Sequence, residues 1–352
     1  MEKINILSPA KINLSLDIIS KRDDGLHNIR SCVQIIDFFD EISIEINNND
    51  SSISLDCSEK KISSKENLAF IAANKFFEAF NVRSGLKIKI KKRIPLGAGM
   101  GGGSSNAAAV LIGLSKMFKI EDFQKILILG EQLGSDVTLF LYSRSAFISQ
   151  KGQVINLVKN PPKLNYFIVM PKLEISSKKS YRNWEGNEEY IKNFHKRTKY
   201  KKIYFDDDII EIKNDFYPLI LKNYSEFDEI INFLNSSELK NFSITGSGSA
   251  IFSIIDSNVN VDELKSYIES SNKFQVSINT SIEGWRFQID WIYKNYLYPQ
   301  RLYNLFGPSS NGRTLGFGPS NGGSNPSGPV FHFTLRVENS IIRHDICILI
   351  ML

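Results

Sequence analysis

Apolar and polar residues alternate in two stretches near the start of the chain. Ile12, Leu14, Leu16 and Ile18 form one series, and Ile42, Ile44 and Ile46 form another. A period of two with polar residues between predicts half-buried strands across residues 1–60, with Asn47-Asn48-Asn49-Asp50 as a turn. The period changes at Asn67. Leu68, Ile71, Ala72 and Phe76 share one helical face and predict an amphipathic helix as far as Phe80. Alternation returns from Leu86 to Lys91. An Ala-rich run then predicts a helix over Asn106–Lys116, followed by a second from Glu121 to Leu133 that stops at Gly134.

The second half opens with a strand, Tyr166–Val169, before Pro171. Residues 178–235 are polar and mostly helical in pattern. Strands at Phe242–Ile244 and Ala250–Ile255 flank a glycine turn, Thr245-Gly246-Ser247-Gly248-Ser249. A helix over Asp262–Ser270 and a strand over Gln275–Thr280 complete the pattern. Alternating strands interspersed with helices predict an α+β protein and argue against a doubly wound parallel sheet, whose strands are continuously apolar.

Beyond Glu283 the pattern is lost. Residues 307–329 hold seven of the 22 glycines and four of the 11 prolines, a composition that predicts disorder. Gly323-Ser324-Asn325-Pro326 back-translates as GGT-TCG-AAT-CC, similar to the TΨC arm of a transfer-RNA gene. Leu315–Ser320 likewise back-translates as one stem of such a gene. The tail, 283–352, is therefore read as a non-functional coding frame that runs on into an adjacent gene, with a flexible extension as the alternative.

Composition narrows the class. The 352 residues, 42% hydrophobic and 23% charged, fit two globular lobes. A net charge of +5 suits an anionic small molecule and lacks the concentrated basic stripe of a nucleic-acid binder. Cys32, Cys57 and Cys347 are scattered, and no CxxC or HxxxH pair suggests a metal site. No run reaches the roughly 20 apolar residues of a membrane helix, and the N-terminus lacks a signal peptide. The expectation is a cytoplasmic protein with no nucleic-acid or membrane partner and no protein-held metal.

The candidate chemistry lies in Pro95-Leu96-Gly97-Ala98-Gly99-Met100-Gly101-Gly102-Gly103-Ser104-Ser105-Asn106. Glycines let a backbone approach a ligand closely, and a following helix aims free N–H groups at it, so the run predicts a phosphate cradle. Walker A is excluded because no lysine lies between Arg93 and Lys116. Gly97, Gly99 and Gly102 meet the dinucleotide spacing GxGxxG. However, the preceding strand alternates Ile with Lys, and Glu121 and Asp122 begin a helix instead of ending a second strand.

The remaining pattern, P-x-G-x-G-x-G-G-S-S, resembles the ATP loop of the GHMP kinases. Two further motifs of that superfamily stand in order: Ser8-Pro9-Ala10-Lys11-Ile12-Asn13-Leu14, and Thr245-Gly246-Ser247-Gly248-Ser249-Ala250. Lys21-Arg22-Asp23-Asp24-Gly25-Leu26-His27 and Leu133-Gly134-Ser135-Asp136-Val137 are similar to the branch that phosphorylates the 2-hydroxyl of 4-diphosphocytidyl-2-C-methyl-D-erythritol, a step of non-mevalonate isoprenoid synthesis. The resemblance covers roughly residues 4–282. It implies a two-lobed fold, with a ribosomal protein S5 domain 2-like N-terminal lobe (1–155) and a ferredoxin-like C-terminal lobe (156–282). It also implies ATP with Mg²⁺ carried on its phosphates, a cytidine diphosphate substrate, and a monomer or weak homodimer. Homoserine or mevalonate specificity and a catalytically silent nucleotide-binding relative are the alternatives.

By the same resemblance Asp136 takes the hydroxyl proton and Lys11 keeps Asp136 ionised while stabilising the developing alkoxide. Residue types alone would also allow Asp136 as a helix N-cap and Lys11 as a solvated strand lysine. Pro95 through Asn106 form the cofactor cradle, with Ser104, Ser105 and Asn106 doubling as cap residues. Asn13, Leu26, His27, Tyr181, Thr245, Gly246, Ser247 and Gly248 are the candidate substrate residues. The family carries tyrosine where this chain has Leu26, so Tyr181 is expected to provide more of the cytosine stacking. Otherwise Tyr181 is an ordinary helix residue and Gly246 and Gly248 only a hairpin turn.

Overall fold

The computed structural model describes residues 2–47, 51–63, 65–239, 242–255 and 259–288, and the backbone of 332–337 and 340–345. Two long strands organise it. β1 (Lys3–Lys21) and β2 (His27–Asn47) pair antiparallel from end to end. The register shifts at Pro9/Ala10, Asn13/Ser15 and Ile18/Ser20. Such irregularities bend a strand and redirect its side chains. One ribbon thereby serves three interiors: Ile6 packs in the first, Ile12 and Leu14 in a second, and Leu16 and Ile18 in a third.

The first sheet runs β13 (Arg286–Gln288), β1, β2, β4 (Gly85–Lys91), β3 (Ile53–Cys57). β5 (Ala146–Gln150) pairs with the other end of β2 and with β6 (Val154–Leu157). The β3–β4 pair is parallel. Helices α1 (Leu68–Phe80), α2 (Gly102–Phe118), α3 (Phe123–Leu133) and α4 (Ser135–Tyr142) close the first interior. Asn67 caps α1 by accepting from Ala69 N at 2.9 Å. The fully buried Ala107–Ala109 let α2 lie close to the sheet. At Gly113 a Cβ would stand 2.6 Å from Ile44 Cδ1, so the approach depends on its absence.

The second sheet has the order β10 (Phe242–Ile244), β11 (Ile251–Ile254), β7 (Asn165–Pro171), β12 (Phe274–Thr280), all antiparallel. Between β7 and β10 lie α5 (Ser177–Trp184), α6 (Glu188–Arg197), α7 (Tyr217–Asn223) and α8 (Asp228–Ser236), and α9 (Val261–Ser270) joins β11 to β12. A β-α-β-β-α-β chain order with the first strand beside the last is the ferredoxin-like arrangement. β7 is buried on both faces. Tyr166 and Ile168 meet Ile12 and Leu14, whereas Phe167 and Val169 meet the helices.

Two expectations change. The stretch 178–235 also contains a hairpin, β8 (Lys202–Phe205) and β9 (Asp208–Glu211), hidden in the sequence by its charged residues. The expected boundary at 282 is too early. Arg286–Gln288 pairs with Asn5–Leu7. The Glu283 carboxylate accepts from Ser145 N (3.0 Å), Ser145 Oγ (2.6 Å) and Arg144 Nε (3.2 Å). The described residues up to 288 fall in one compact unit, and the second interior is shared by residues from both sides of 155/156. The other unit, 294–352, contains β14 (His332–Val337) antiparallel to β15 (Ser340–Asp345), beyond the 307–329 stretch whose composition predicts disorder. Residues 307–329, which carry the run-on reading, lie outside the described residues.

Candidate active site

The glycine run leaves β4 and turns into α2 at Gly102, four residues earlier than the sequence pattern suggests. The first helical bond is Ser105 N to Gly101 O at 2.9 Å. The N–H groups of Gly102, Gly103 and Ser104 therefore precede the helical ladder and stand at its positive end, suited to an anion. Pro95 through Ser104 line a cleft of about 340 Å³ with Lys11, Asn13, Asp136, Tyr181, Gly246 and Ser247.

Ser105 and Asn106 are turned away from that cleft. Ser105 Oγ lies 2.7 Å from Ser8 Oγ, and Asn106 Nδ2 donates to Ser8 Oγ (3.1 Å) and Asp40 Oδ2 (2.8 Å). One residue per 100° of helix places these two on the sheet side, where they anchor the cradle from beneath.

The cradle and the third motif meet at backbone distance. Ser249 N donates to Gly97 O and Ala250 N to Ala98 O, both at 3.2 Å. Thr245 Oγ1 bonds Gly99 O at 3.3 Å. Ile175 N also donates to Gly97 O (3.2 Å), and Lys11 N to Met100 O (3.1 Å). Gly99 has φ +73°, and a Cβ there would lie 2.0 Å from Thr245 O. Only glycine fits both that conformation and that contact.

Lys11 is buried on β1, and its ammonium donates to Asn13 Oδ1. Burial holds its pKa below the ordinary lysine value, while the charge of Asp136 acts in the opposite direction. Asn13 is held in turn, with its N–H on Thr245 Oγ1 (2.9 Å) and its Nδ2 on Ser31 Oγ (2.8 Å). Asp136 stands in the first turn of α4, and Gly134, not Asp136, is the cap residue. Residue types alone would have allowed Asp136 itself as the N-cap. The helix starts earlier because Val137, Leu139, Phe140 and Leu141 bury their side chains as one short element. A carboxylate in a first helical turn is favoured by the helix dipole. The pair can therefore present an ammonium and a proton acceptor to a hydroxyl in the same cleft.

Tyr181 lines the cleft and His27 does not: the ring of His27 stacks on Tyr181 with centroids 4.7 Å apart and planes at 20°, and Trp184 meets His27 edge-on at 5.5 Å. His27 Nε2 is buried without a hydrogen-bond partner, with the Glu185 carboxylate 3.6 Å away. Burial lowers the His27 pKa and Glu185 opposes that. The Tyr181 phenol is pushed up to about 12, chiefly by burial and further by Asp136, so it keeps its proton. Leu26 points outward, 49% exposed, and is not among the cleft-lining residues. Gly248 does not line the cleft either and serves the turn that carries Gly246 and Ser247.

Comparison with known proteins matches residues 67–144 to the GHMP kinases N terminal domain. Over 283 residues the chain is 36% identical to 4-diphosphocytidyl-2-C-methyl-D-erythritol kinase of Wigglesworthia glossinidia brevipalpis, covering 78% of this chain and 88% of that one. The same-named protein of Caldicellulosiruptor bescii is 30% identical over 287 residues, 78% and 97% of the two chains. The chain belongs to the 4-diphosphocytidyl-2-C-methyl-D-erythritol kinase family. A crystal structure of 4-(cytidine 5'-diphospho)-2C-methyl-D-erythritol kinase superposes with a TM-score of 0.65 at 25% identity, covering 80% of this chain and all of that one. A homoserine kinase from Cytophaga hutchinsonii, 14% identical with a TM-score of 0.56, shares the fold. Membership in this kinase family makes the chain an ATP-dependent small-molecule kinase of the GHMP fold. Among the described residues no helix is long and apolar enough to cross a membrane.

Two residues of this family member escaped the sequence reading. Asp40 is fully buried and accepts from Lys92 Nζ, Arg93 N (2.7 Å), Ile94 N (2.9 Å) and Asn106 Nδ2 (2.8 Å). Lys92, its partner, lines the cleft three residues before Pro95. In sequence Lys92 is indistinguishable from Lys87, Lys89 and Lys91. Asp40, far away on β2, identifies it, and no local pattern links the two.

Proposed function

We propose that this chain transfers the γ-phosphoryl group of ATP to the 2-hydroxyl of 4-diphosphocytidyl-2-C-methyl-D-erythritol, giving ADP and the 2-phosphate. The observation that carries the reading is the buried Lys11 facing Asp136 across a cleft walled by the glycine cradle. The N–H groups of Gly102, Gly103 and Ser104 hold the triphosphate. The acceptor oxygen attacks the γ-phosphorus, the bond to the β-phosphate oxygen breaks, and the hydroxyl proton passes to the Asp136 carboxylate. Lys11 stabilises the negative charge on the acceptor oxygen, and Asn13 with Thr245 orients that end of the substrate. His27 and Tyr181 form the cytosine end, where Tyr181 lines the cleft and His27 Nε2 has no hydrogen-bond partner within the chain.

Magnesium neutralises phosphate charge when it is bound. The ATP phosphates and the Ser104 hydroxyl on the cleft wall would hold it, leaving Asp136 for the proton. The reading includes an N-terminal ATP lobe, a C-terminal substrate lobe, a cytoplasmic monomer or weak homodimer, and no nucleic-acid partner.

The test is ADP release from ATP and Mg²⁺ with the cytidyl alcohol, homoserine or mevalonate as acceptor. Turnover of the first alone is expected. Turnover of homoserine or mevalonate in its place would overturn the specificity, and no turnover of any would favour a silent relative. Asp136→Asn should lower kcat by about 10²-fold or more. Turnover within about threefold of wild type would remove Asp136 from its role.

A further inference from the structure

Asn214 lies outside all three motifs, yet it connects the catalytic and base-binding ends of the cleft. It is 1% exposed. Its Nδ2 donates to Ile244 O at 3.0 Å and Gly246 O at 2.9 Å, and its Oδ1 accepts from Phe216 N at 2.9 Å. Both amide donors and the carbonyl are thus engaged.

Each partner leads to the site. Gly246 sits against the cradle and the lysine, since a Cβ there would lie 2.7 Å from Gly99 O and 3.2 Å from Lys11 Nζ. Phe216 lines the cleft and meets Tyr181 edge-on at 5.0 Å. The segment that carries Asn214 is fastened to β1 just beyond Lys11 and Asn13. Leu16 N donates to Lys213 O (2.9 Å), Asp215 N donates to Leu16 O (3.0 Å), and Ile18 N donates to Asp215 Oδ2 (2.7 Å). Asn214 therefore works from a fixed base, and its short side chain ties that base to the Thr245–Gly246 turn and to Phe216.

We propose that Asn214 is a positioning residue for phosphoryl transfer, holding the Thr245–Gly246 turn against Lys11 and the Phe216–Tyr181 wall in one frame. The inference rests on the kinase reading above. The cradle itself is held at Gly97 and Met100 by Ile175 N and Lys11 N, without Asn214. Loss of the Asn214 amide should accordingly slow the chemical step more than it weakens ATP binding.

The decisive variant is Asn214→Asp. It keeps an oxygen for Phe216 N and sets a carboxylate oxygen where the amide donated to two carbonyls. Wild type and variant are assayed side by side with the cytidyl alcohol, and kcat is normalised to the folded fraction from circular dichroism. The expected result is a kcat at least tenfold lower with the KM for ATP within about threefold. A purely structural role would lower the folded fraction and leave the normalised kcat unchanged, which overturns the proposal. A rise in the KM for ATP at unchanged kcat overturns it as well. If Asn214→Asp does not fold, Asn214→Ala decides by the same criteria, and failure of both to fold assigns the residue to the core and overturns the proposal. A wild-type protein that does not turn over the cytidyl alcohol overturns the functional reading itself, and this inference with it.

Discussion

Alanine at Gly99 and alanine at Gly103 should have opposite effects on stability, although the two lie only four positions apart, one in the loop and one in the first turn of α2. At Gly99 the backbone has φ +73°, and an L-residue in that region costs roughly 1–2 kcal/mol. The new Cβ would lie 2.0 Å from Thr245 O and 2.9 Å from Gly248 O, both backbone atoms, where ordinary contact begins at 3.4 Å. The two loops must part by more than an ångström. That breaks the bonds from Thr245 Oγ1 to Gly99 O and from Ala250 N to Ala98 O, at about 1 kcal/mol each. The sum is on the order of 3–4 kcal/mol, or a fall in Tm of about 5–7 °C at this chain size.

At Gly103 a Cβ would meet nothing within 4 Å. Alanine in a helix is favoured over glycine by roughly 0.5–1 kcal/mol, so Tm should rise by about 1–2 °C. The same methyl group projects into the cleft beside the N–H groups of α2, so the KM for ATP should increase. Differential scanning calorimetry and ATP titration measure both effects. A Gly99→Ala protein that melts within about 2 °C of wild type with unchanged kcat would refute the reasoning, as would an equal loss of stability at Gly103.

Three further outcomes are expected. Lys11→Met should abolish turnover yet melt higher than wild type at neutral pH, because a buried ammonium with a lowered pKa opposes folding while it is charged. The unfolded chain binds more protons between the lowered pKa and 10.5, so wild-type stability rises through that window and the gap should narrow there; a gap that widens with pH would contradict the sign. Asp40→Ala strands Lys92, 4% exposed, and should cost about 3–5 kcal/mol in urea unfolding. Cutting the chain after residue 293 should leave melting and turnover unchanged. Cutting after Ile282 removes the Glu283 contacts and β13 and should lower the urea midpoint measurably, and identical midpoints would show that those contacts contribute nothing.

Much of the fold was legible because its strands are amphipathic. The alternation at Ile12–Ile18 and Ile42–Ile46 falls within β1 and β2, and the helix expected at Asn67–Phe80 is α1 with Asn67 as its cap. The hairpin at 202–211 was not legible, because four-residue strands rich in charge show no clear period. Strand β13 was missed for a similar reason, since three residues at a sheet edge are recognised only by the partner they join. Within the site, Lys11, Asp136, Gly246 and Tyr181 were marked by motifs, and they do line one cleft. Ser105 and Asn106 belong to the same motif but face the sheet, a distinction that depends on the register at which α2 begins.

The sequence by itself determined the local chemistry: which segments alternate, where glycine permits close approach, and which motif residues are available for phosphoryl transfer. These properties are short-range and are set by each residue and its neighbours. The tertiary structure decided which groups act together. Asp40 meets Lys92 across 52 positions, Thr245 meets Asn13 across 232, and Glu283 meets Ser145 across 138. Such contacts arise from bulged long strands and from the packing of two sheets on one shared interior. No periodicity encodes them, because a side chain's partner is fixed only when the whole backbone closes around it.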